Sequence, residues 1–377
     1  MRVVVITNDL PPRVGGIQYY VDQLCRGLCA TGDEVVLFGS SSPGDREFDA
    51  SAPYGVVREP TSILLPTPRV RRHAVRLTEH IDADVVVFGA AFPLGILADS
   101  IRRATGAPSL AFTHGLEVSA VRGPGGRAVL NRIGNGLDAV TYVSGWCRSH
   151  LESAFGPNPV HSMLPPAVDV AEYHAGVDGS LVRQRWGIGE DPLVVCVSRL
   201  VERKGQDRLI DSLAQWRSST PGTRLMIVGD GPHRSALEQR ASDAGVSEHV
   251  VFTGQVPEDE LPAHFAAADV FAMPCRERIG GFEVEAFGIV FIQAQAVGVP
   301  VVAGAIGGVP DAVRDGETGL LVDGTDGGAV ADAVEALLTD GPRREEMGRS
   351  GAAWVAQRFS WAERTRQLRV LLSDLAG

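Results

Sequence analysis

A chain of 377 residues with 44% hydrophobic and 21% charged side chains has a globular composition and length enough for two domains. Its formal net charge of −11 excludes a general nucleic-acid binder, which carries a basic excess. The five cysteines (Cys25, Cys29, Cys147, Cys196 and Cys275) are odd in number and contain no CxxC pair, so neither a disulfide framework nor a zinc site is indicated and a reducing cytosol is the expected setting.

The first apolar run, RVVVIT (2–7), reads as a strand and is interrupted by Asn8 and Asp9 too soon for a secretory signal. It leads into NDLPPRVGGIQYY, where Gly15 and Gly16 directly precede a helical pattern. A glycine pair there lets backbone N–H groups approach an anion at a helix N-terminus, although an ordinary strand-to-helix turn has the same sequence. No GxGxxG follows this strand, which counts against a nicotinamide or flavin enzyme.

Further strand-like runs follow at EVVLF (34–38), DVVVF (84–88), SLAFT (109–113) and AVTYV (139–143). Between the second and third lies PRVRRHAVRLTEHI (68–81), in which Arg69, Arg71, Arg72, His73 and Arg76 cluster while Val70, Ala74, Leu77 and Ile81 fall at helical spacing. This predicts a basic amphipathic helix, suited to an anionic membrane surface or a phosphate head group, with a solvated surface helix as the plain alternative. The longest uncharged apolar run, VVVFGAAFPLGILA (85–98), contains Pro93 and is shorter than the ~20 residues of a membrane-spanning helix. FTHG (112–115) sets His114 at the end of a strand, a position open to either a structural or a catalytic role.

Prolines and an apolar-poor stretch between MLPPAVD (163–169) and DPLVVC (191–196) mark a boundary. Strand-like runs resume at LVVCVS (193–198), RLMIVG (224–229), VVFTG (250–254), VFAMP (270–274) and PVVAG (300–304). Unbroken apolar strands are buried on both faces, so the fold class is α/β, with two doubly wound, parallel-sheet domains. Their expected extents are 1–170 and 171–359. SWAERTRQLRVLLSDL then supplies a closing helix over 360–377, with Trp361, Leu368, Leu371, Leu372 and Leu375 at mostly helical spacing. Ligands of such sheets bind beyond the carboxyl ends of the strands, and the cleft between the domains is the expected site.

In the second half, Arg199 and Lys204 of SRLVERKGQDR follow a strand and precede or open a helix. Lys204 is the only lysine in the chain; every other basic side chain is arginine. A compact ammonium where a planar fork is too large, converging with Arg199 on a diphosphate, gives a reason for the exception. A solvated cluster containing Glu202 and Arg203 is the alternative. VGDGP (228–232) is a glycine turn, but Arg234 stands where a pyrophosphate fingerprint has its third glycine. In RERIGGFEVEAFGIVFIQAQAVGVPVVAG (276–304), Gly280, Gly281 and Gly288 bracket an acidic loop with Glu283 and Glu285, and a helical pattern runs from about Ile289 to Ala296. Such a helix start suits a phosphate, and carboxylates before it suit the hydroxyls of an attached sugar.

GGI near the start, THG in the first domain, RLVxRKG in the second and ExFGIVxxxA beyond it, in that order, resemble the retaining glycosyltransferases of family 4 with the GT-B fold. The likeness is strongest to the actinobacterial phosphatidylinositol-mannoside mannosyltransferases. The resemblance covers essentially the whole chain. It implies two Rossmann-like domains facing a cleft, with the C-terminal helix crossing back to the N-terminal domain. It also implies GDP-mannose as donor, no tightly bound cofactor, a phosphatidylinositol mannoside as acceptor with an α-1,6 linkage formed, and a cytoplasmic protein on the inner membrane face. No visible motif calls for a divalent metal.

By the same resemblance Arg199 and Lys204 hold the donor diphosphate, Gly16 lies beside it, and His114 is near the transferred sugar. Glu285 is the first acid of an E-x7-E motif and contacts sugar hydroxyls. Gly229, Val256, Glu283, Gly288 and Ile289 complete the donor site; Gly15, Gln18, Arg69, Arg71, Arg72 and Arg76 serve the acceptor or membrane. The second acid of the motif is replaced by Gln293, whose carbonyl accepts a ribose hydroxyl without charge assistance, so weaker nucleotide affinity is expected. Three alternatives stand beside this reading: a soluble transferase with another donor or acceptor, a phosphorylase needing a pyridoxal-bearing lysine, and a non-catalytic sugar-nucleotide-binding scaffold.

Overall fold

The structure, a computed structural model, describes residues 1–13 and 15–377. It contains two compact units, one formed by residues 1–167 together with 361–377 and the other by residues 168–360.

The first unit is built on seven parallel strands: β1 (Arg2–Thr7), β2 (Glu34–Ser40), β3 (Gly55–Glu59), β4 (Val85–Phe88), β5 (Ser109–Thr113), β6 (Ala139–Tyr142) and β7 (Val160–Met163). Their order is β3-β2-β1-β4-β5-β6-β7, so the winding reverses between β1 and β4. Central β1 is apolar on both faces because helices cover both: Val4 sits level with Val36 and Val86, and Val5 with Leu37 and Val87, all in the core.

The helix Trp361–Ala376 belongs to this unit and buries Trp361, Leu368 and Leu372 in its core. Tyr19 and Tyr20 of the helix Gly16–Ala30 meet Trp361 edge-on at 5.7 and 5.8 Å. Gly27 permits the close approach, since a Cβ there would lie 2.0 Å from Thr365 Oγ1. Arg369 adds an ion pair to Asp33 at 3.0 Å.

The second unit has six parallel strands: β8 (Leu193–Val197), β9 (Arg224–Val228), β10 (Val250–Gly254), β11 (Val270–Met273), β12 (Val301–Gly304) and β13 (Gly319–Val322), ordered β10-β9-β8-β11-β12-β13. The reversal here falls between β8 and β11. At the end of this unit Val168 N–H donates to Phe359 O at 2.8 Å, so the two chain segments that leave it run side by side.

Three strands escaped the sequence reading: β3, β7 and β13. All are edges of their sheets and largely half-buried or exposed, so they lack the unbroken apolar run of a central strand.

The basic segment is a helix over Pro68–Ile81, started by Thr67, whose hydroxyl accepts from Val70 N, and by Pro68 in the first turn. Its buried residues are Val70, Ala74 and Thr78. The helix is amphipathic, as its spacing predicts, with its apolar stripe packed on its own unit's core and its arginine-rich face turned out. Arg71, Arg72 and Arg76 point outward, but Arg69 is paired with Glu59 at 2.6 Å, and His73 Nδ1 lies 2.6 Å from the same carboxylate.

Candidate active site

In a parallel sheet every loop that follows a strand emerges at the same edge, and the reversal of strand order opens a crevice there. In the second unit the loops at that crevice follow β8 and β11, and they carry most of the residues singled out in its sequence.

Arg199 follows β8, is exposed, and its guanidinium forms no ion pair among the described residues. A single 3₁₀ turn over Glu202–Lys204 then ends at Gly205, whose φ of +79° and whose hypothetical Cβ, 2.2 Å from Pro274 O, both require glycine. The loop after β8 is thereby pressed onto the loop after β11. Gln206 Nε2 braces the first loop from within, donating to Ser198 Oγ at 2.8 Å and to Arg199 O at 3.2 Å, while Arg276 fastens the two loops: its N–H donates to Arg203 O at 2.9 Å and its guanidinium grips both oxygens of Asp207 at 2.9 Å. None of these fasteners stood out in the sequence.

This fastening brings Lys204 to Glu285. The ammonium donates to Glu285 Oε2 at 2.6 Å, and Arg203 Nη1 donates to the same oxygen at 2.8 Å. Lys204 and Glu285 side chains are each 12% exposed. Burial pushes the Glu285 carboxyl up, but the two cations outweigh it and hold it below its ordinary range. The carboxylate expected to meet sugar hydroxyls therefore also serves as counter-ion to Lys204, and Arg203, for which a solvated cluster is the alternative in sequence, is turned onto the same oxygen.

Beyond Glu285, Gly288 (φ +85°) begins the helix Ile289–Ala296, and a Cβ there would strike the Phe291 ring at 2.5 Å. Gln293 is 7% exposed and its amide donates to Tyr173 OH at 3.1 Å. Glu283 is half-exposed and lies 3.7 Å from Arg278, which also reaches Glu202 at 2.8 Å. Gly229 (φ +125°) follows β9; a Cβ there would be 2.2 Å from Ser198 O, so this glycine lets the VGDGP turn pack onto the Arg199 segment. Val256 follows β10, at the same edge of the sheet and half-buried.

The first unit has its own strand-end cluster. Gly15 and Gly16 are exposed at the start of the helix Gly16–Ala30, and a Cβ on Gly16 would meet nothing within 4 Å. Gln18 donates to Asp9 Oδ1 at 2.9 Å, and burial raises the Asp9 carboxyl. His114 follows β5 with its Nε2 2.7 Å from Gly89 O, which fixes Nε2–H as donor and leaves Nδ1 a lone pair. Tyr20 stands edge-on to its ring at 5.2 Å. Burial lowers its pKa to about 4, against a small rise from the Gly89 carbonyl, so His114 is a neutral imidazole at neutral pH. Glu117, which sequence reasoning passed over, is fully buried and accepts the His114 backbone N–H at 3.1 Å, steadying the turn that presents the histidine.

Among the described residues no group of three or more His, Cys, Asp or Glu is placed to hold a metal ion, and no helix is long and apolar enough to cross a membrane.

Residues 14–172 match the family model Glycosyltransferase Family 4, and residues 180–354 match Glycosyl transferases group 1. A protein of Mycolicibacterium smegmatis named GDP-mannose-dependent alpha-(1-6)-phosphatidylinositol monomannoside mannosyltransferase is 47% identical, over 98% of this chain and 98% of its own. The chain belongs to glycosyltransferase family 4. The transferase is also 40% identical, over 96% of its length and 94% of the other's, to a Corynebacterium glutamicum protein named GDP-mannose-dependent monoacylated alpha-(1-6)-phosphatidylinositol monomannoside mannosyltransferase. Among solved structures it superposes on sucrose-phosphate synthase from Thermosynechococcus elongatus with a TM-score of 0.85 at 23% identity, covering 99% of this chain and 98% of that one. The Anabaena HepE protein in complex with UDP gives 0.83 at 20%, covering 99% and 100%. At such identities the likeness is one of fold, and that fold is two Rossmann-like α/β units of the GT-B type.

Proposed function

We propose that this transferase moves mannose from GDP-mannose to a phosphatidylinositol mannoside, forming an α-1,6 bond with retention at the anomeric carbon. The near full-length identity to proteins bearing that activity in their names carries the choice of donor and acceptor. The cation cluster after β8 supports the chemistry. As the glycosidic bond breaks, negative charge gathers on the departing diphosphate, and preorganised cations and N–H dipoles aimed there lower the barrier. Arg199, Lys204 and the N–H groups at the start of the helix Ile289–Ala296 fill that role. His114, neutral and fixed through Gly89, is a hydrogen-bond partner for the sugar rather than a charged acid. Glu285 keeps one oxygen for sugar hydroxyls while the other holds Lys204. Gln293, its amide taken by Tyr173, has its carbonyl left for a ribose hydroxyl.

The acceptor lipid places the protein at the inner membrane face, and the outward Arg71, Arg72 and Arg76 supply the attraction. Ile63 and Leu65, 52% and 50% exposed in the loop before the basic helix, supply apolar contact. The test is a transfer assay with GDP-mannose and UDP-glucose against lipid and soluble acceptors, with product linkage determined. Transfer from GDP-mannose to the lipid, lost in Lys204→Ala, is the expected result. Turnover only with another donor or a soluble acceptor overturns the reading, as does Lys204→Ala at wild-type rate.

A further inference from the structure

Two cations share one oxygen of Glu285, and only one of them has a part in the donor site proposed above. Arg203 is anchored independently of any ligand, because its carbonyl accepts from Arg276 N–H at 2.9 Å and Arg276 is itself clamped on Asp207. Its side chain is 27% exposed, so the pair with Glu285 is partly shielded from water. The charge balance around it is informative. Arg199, Arg203 and Lys204 against Glu285 leave two net positive charges, and the diphosphate of a nucleotide-sugar carries two negative ones. Without Arg203 the Lys204–Glu285 pair is neutral, and Arg199 alone faces the diphosphate.

We infer that Arg203 is a positioning residue for the donor: it holds the Glu285 carboxylate ionised and in place, so that Lys204 can turn its ammonium to the diphosphate without stranding a buried acid. A buried carboxylate left without a partner is strongly unfavourable, and Lys204 alone could satisfy either Glu285 or the phosphate fully, not both. The fork of Arg203, which stays on Glu285 throughout, removes that conflict. The inference rests on the donor reading given above.

The charged and titratable neighbours of Glu285 are Arg203 and Lys204 from the turn after β8, and Cys275 from the loop after β11. Burial pushes the Cys275 thiol up to about 12, so it adds no charge in the working range. The sign of the pH effect follows. Removing Arg203 lets the Glu285 carboxyl rise, and its protonation then begins at a higher pH. The acid limb of kcat/KM, which reports ionisations of the free enzyme, moves upward.

The experiment compares the full-length protein with Arg203→Gln and Arg203→Lys, each first checked for a wild-type melting transition, in transfer kinetics across pH and in GDP titration by calorimetry. For Arg203→Gln the expected result is a donor KM raised at least tenfold, a smaller change in kcat, and an acid limb shifted upward; Arg203→Lys recovers most of the donor affinity. A donor KM and acid limb unchanged in Arg203→Gln overturn the inference. So does a fall in kcat with unshifted pH dependence, which marks a merely structural part. If the wild-type protein neither binds GDP nor transfers mannose, the donor reading itself fails; if it does both and Arg203→Gln matches it at every pH, only the role of Arg203 fails.

Discussion

Lys204 shares Glu285 Oε2 with Arg203, and both cations reach that oxygen within 2.8 Å. A second planar guanidinium would have to fit beside the first around one carboxylate in a largely buried place, whereas an ammonium is compact and donates in any direction. Lys204→Arg is therefore expected to lower kcat/KM for the donor by at least tenfold, about 1.4 kcal/mol of transition-state stabilisation, despite keeping the charge. Steady-state kinetics checks this, and wild-type kcat/KM in that variant would remove the steric explanation. Composition alone pointed to Lys204, because one departure from an arginine-only habit is visible without a structure. Arg203, Gln206 and Glu117 were not legible. Arg203 sits in a run of charges for which a solvated cluster is the plain alternative, Gln206 acts through Ser198 Oγ and Arg199 O, and Glu117 through a backbone N–H, and no spacing announces these bonds.

At the level of elements, periodicity placed the ends of the basic helix and of the central strands well, since burial on a repeating face is what writes the pattern. It could not say what the apolar stripe of Pro68–Ile81 packs against. The stripe closes the core of its own unit, so any attraction to membrane must come from the outer face and the adjoining loop. Near an anionic surface each arginine contributes about 1 kcal/mol, screened by salt. Arg71→Ala combined with Arg72→Ala should thus weaken sedimentation with anionic liposomes by roughly thirtyfold, with little effect on neutral ones and none on GDP binding. Arg69 is expected to matter less, because Glu59 already neutralises it. Unchanged liposome binding in the double variant would move the membrane contact elsewhere.

On the scale of the whole chain, the two units are not equivalent pieces. The second is one continuous segment, residues 168–360, whereas the first is assembled from both ends of the chain. Its last helix places Trp361, Leu368 and Leu372 in the core and lays Thr365 against Gly27. Burying three such side chains stabilises by roughly 5 to 9 kcal/mol as an upper estimate, comparable with the 5 to 15 kcal/mol that typically separates a domain from its unfolded state. A fragment of residues 1–167 should therefore lack a cooperative urea transition, and should gain one when residues 361–377 are joined to it by a flexible linker. Residues 168–360 carry Arg199, Arg203, Lys204, Glu285 and Gln293 together, so that fragment should unfold cooperatively alone and still bind GDP. Calorimetric titration and urea melts of the three fragments decide the matter. A cooperative 1–167 fragment would show that the closing helix is an accessory, and a folded 168–360 fragment unable to bind GDP would show that the nucleotide needs contacts from the other unit.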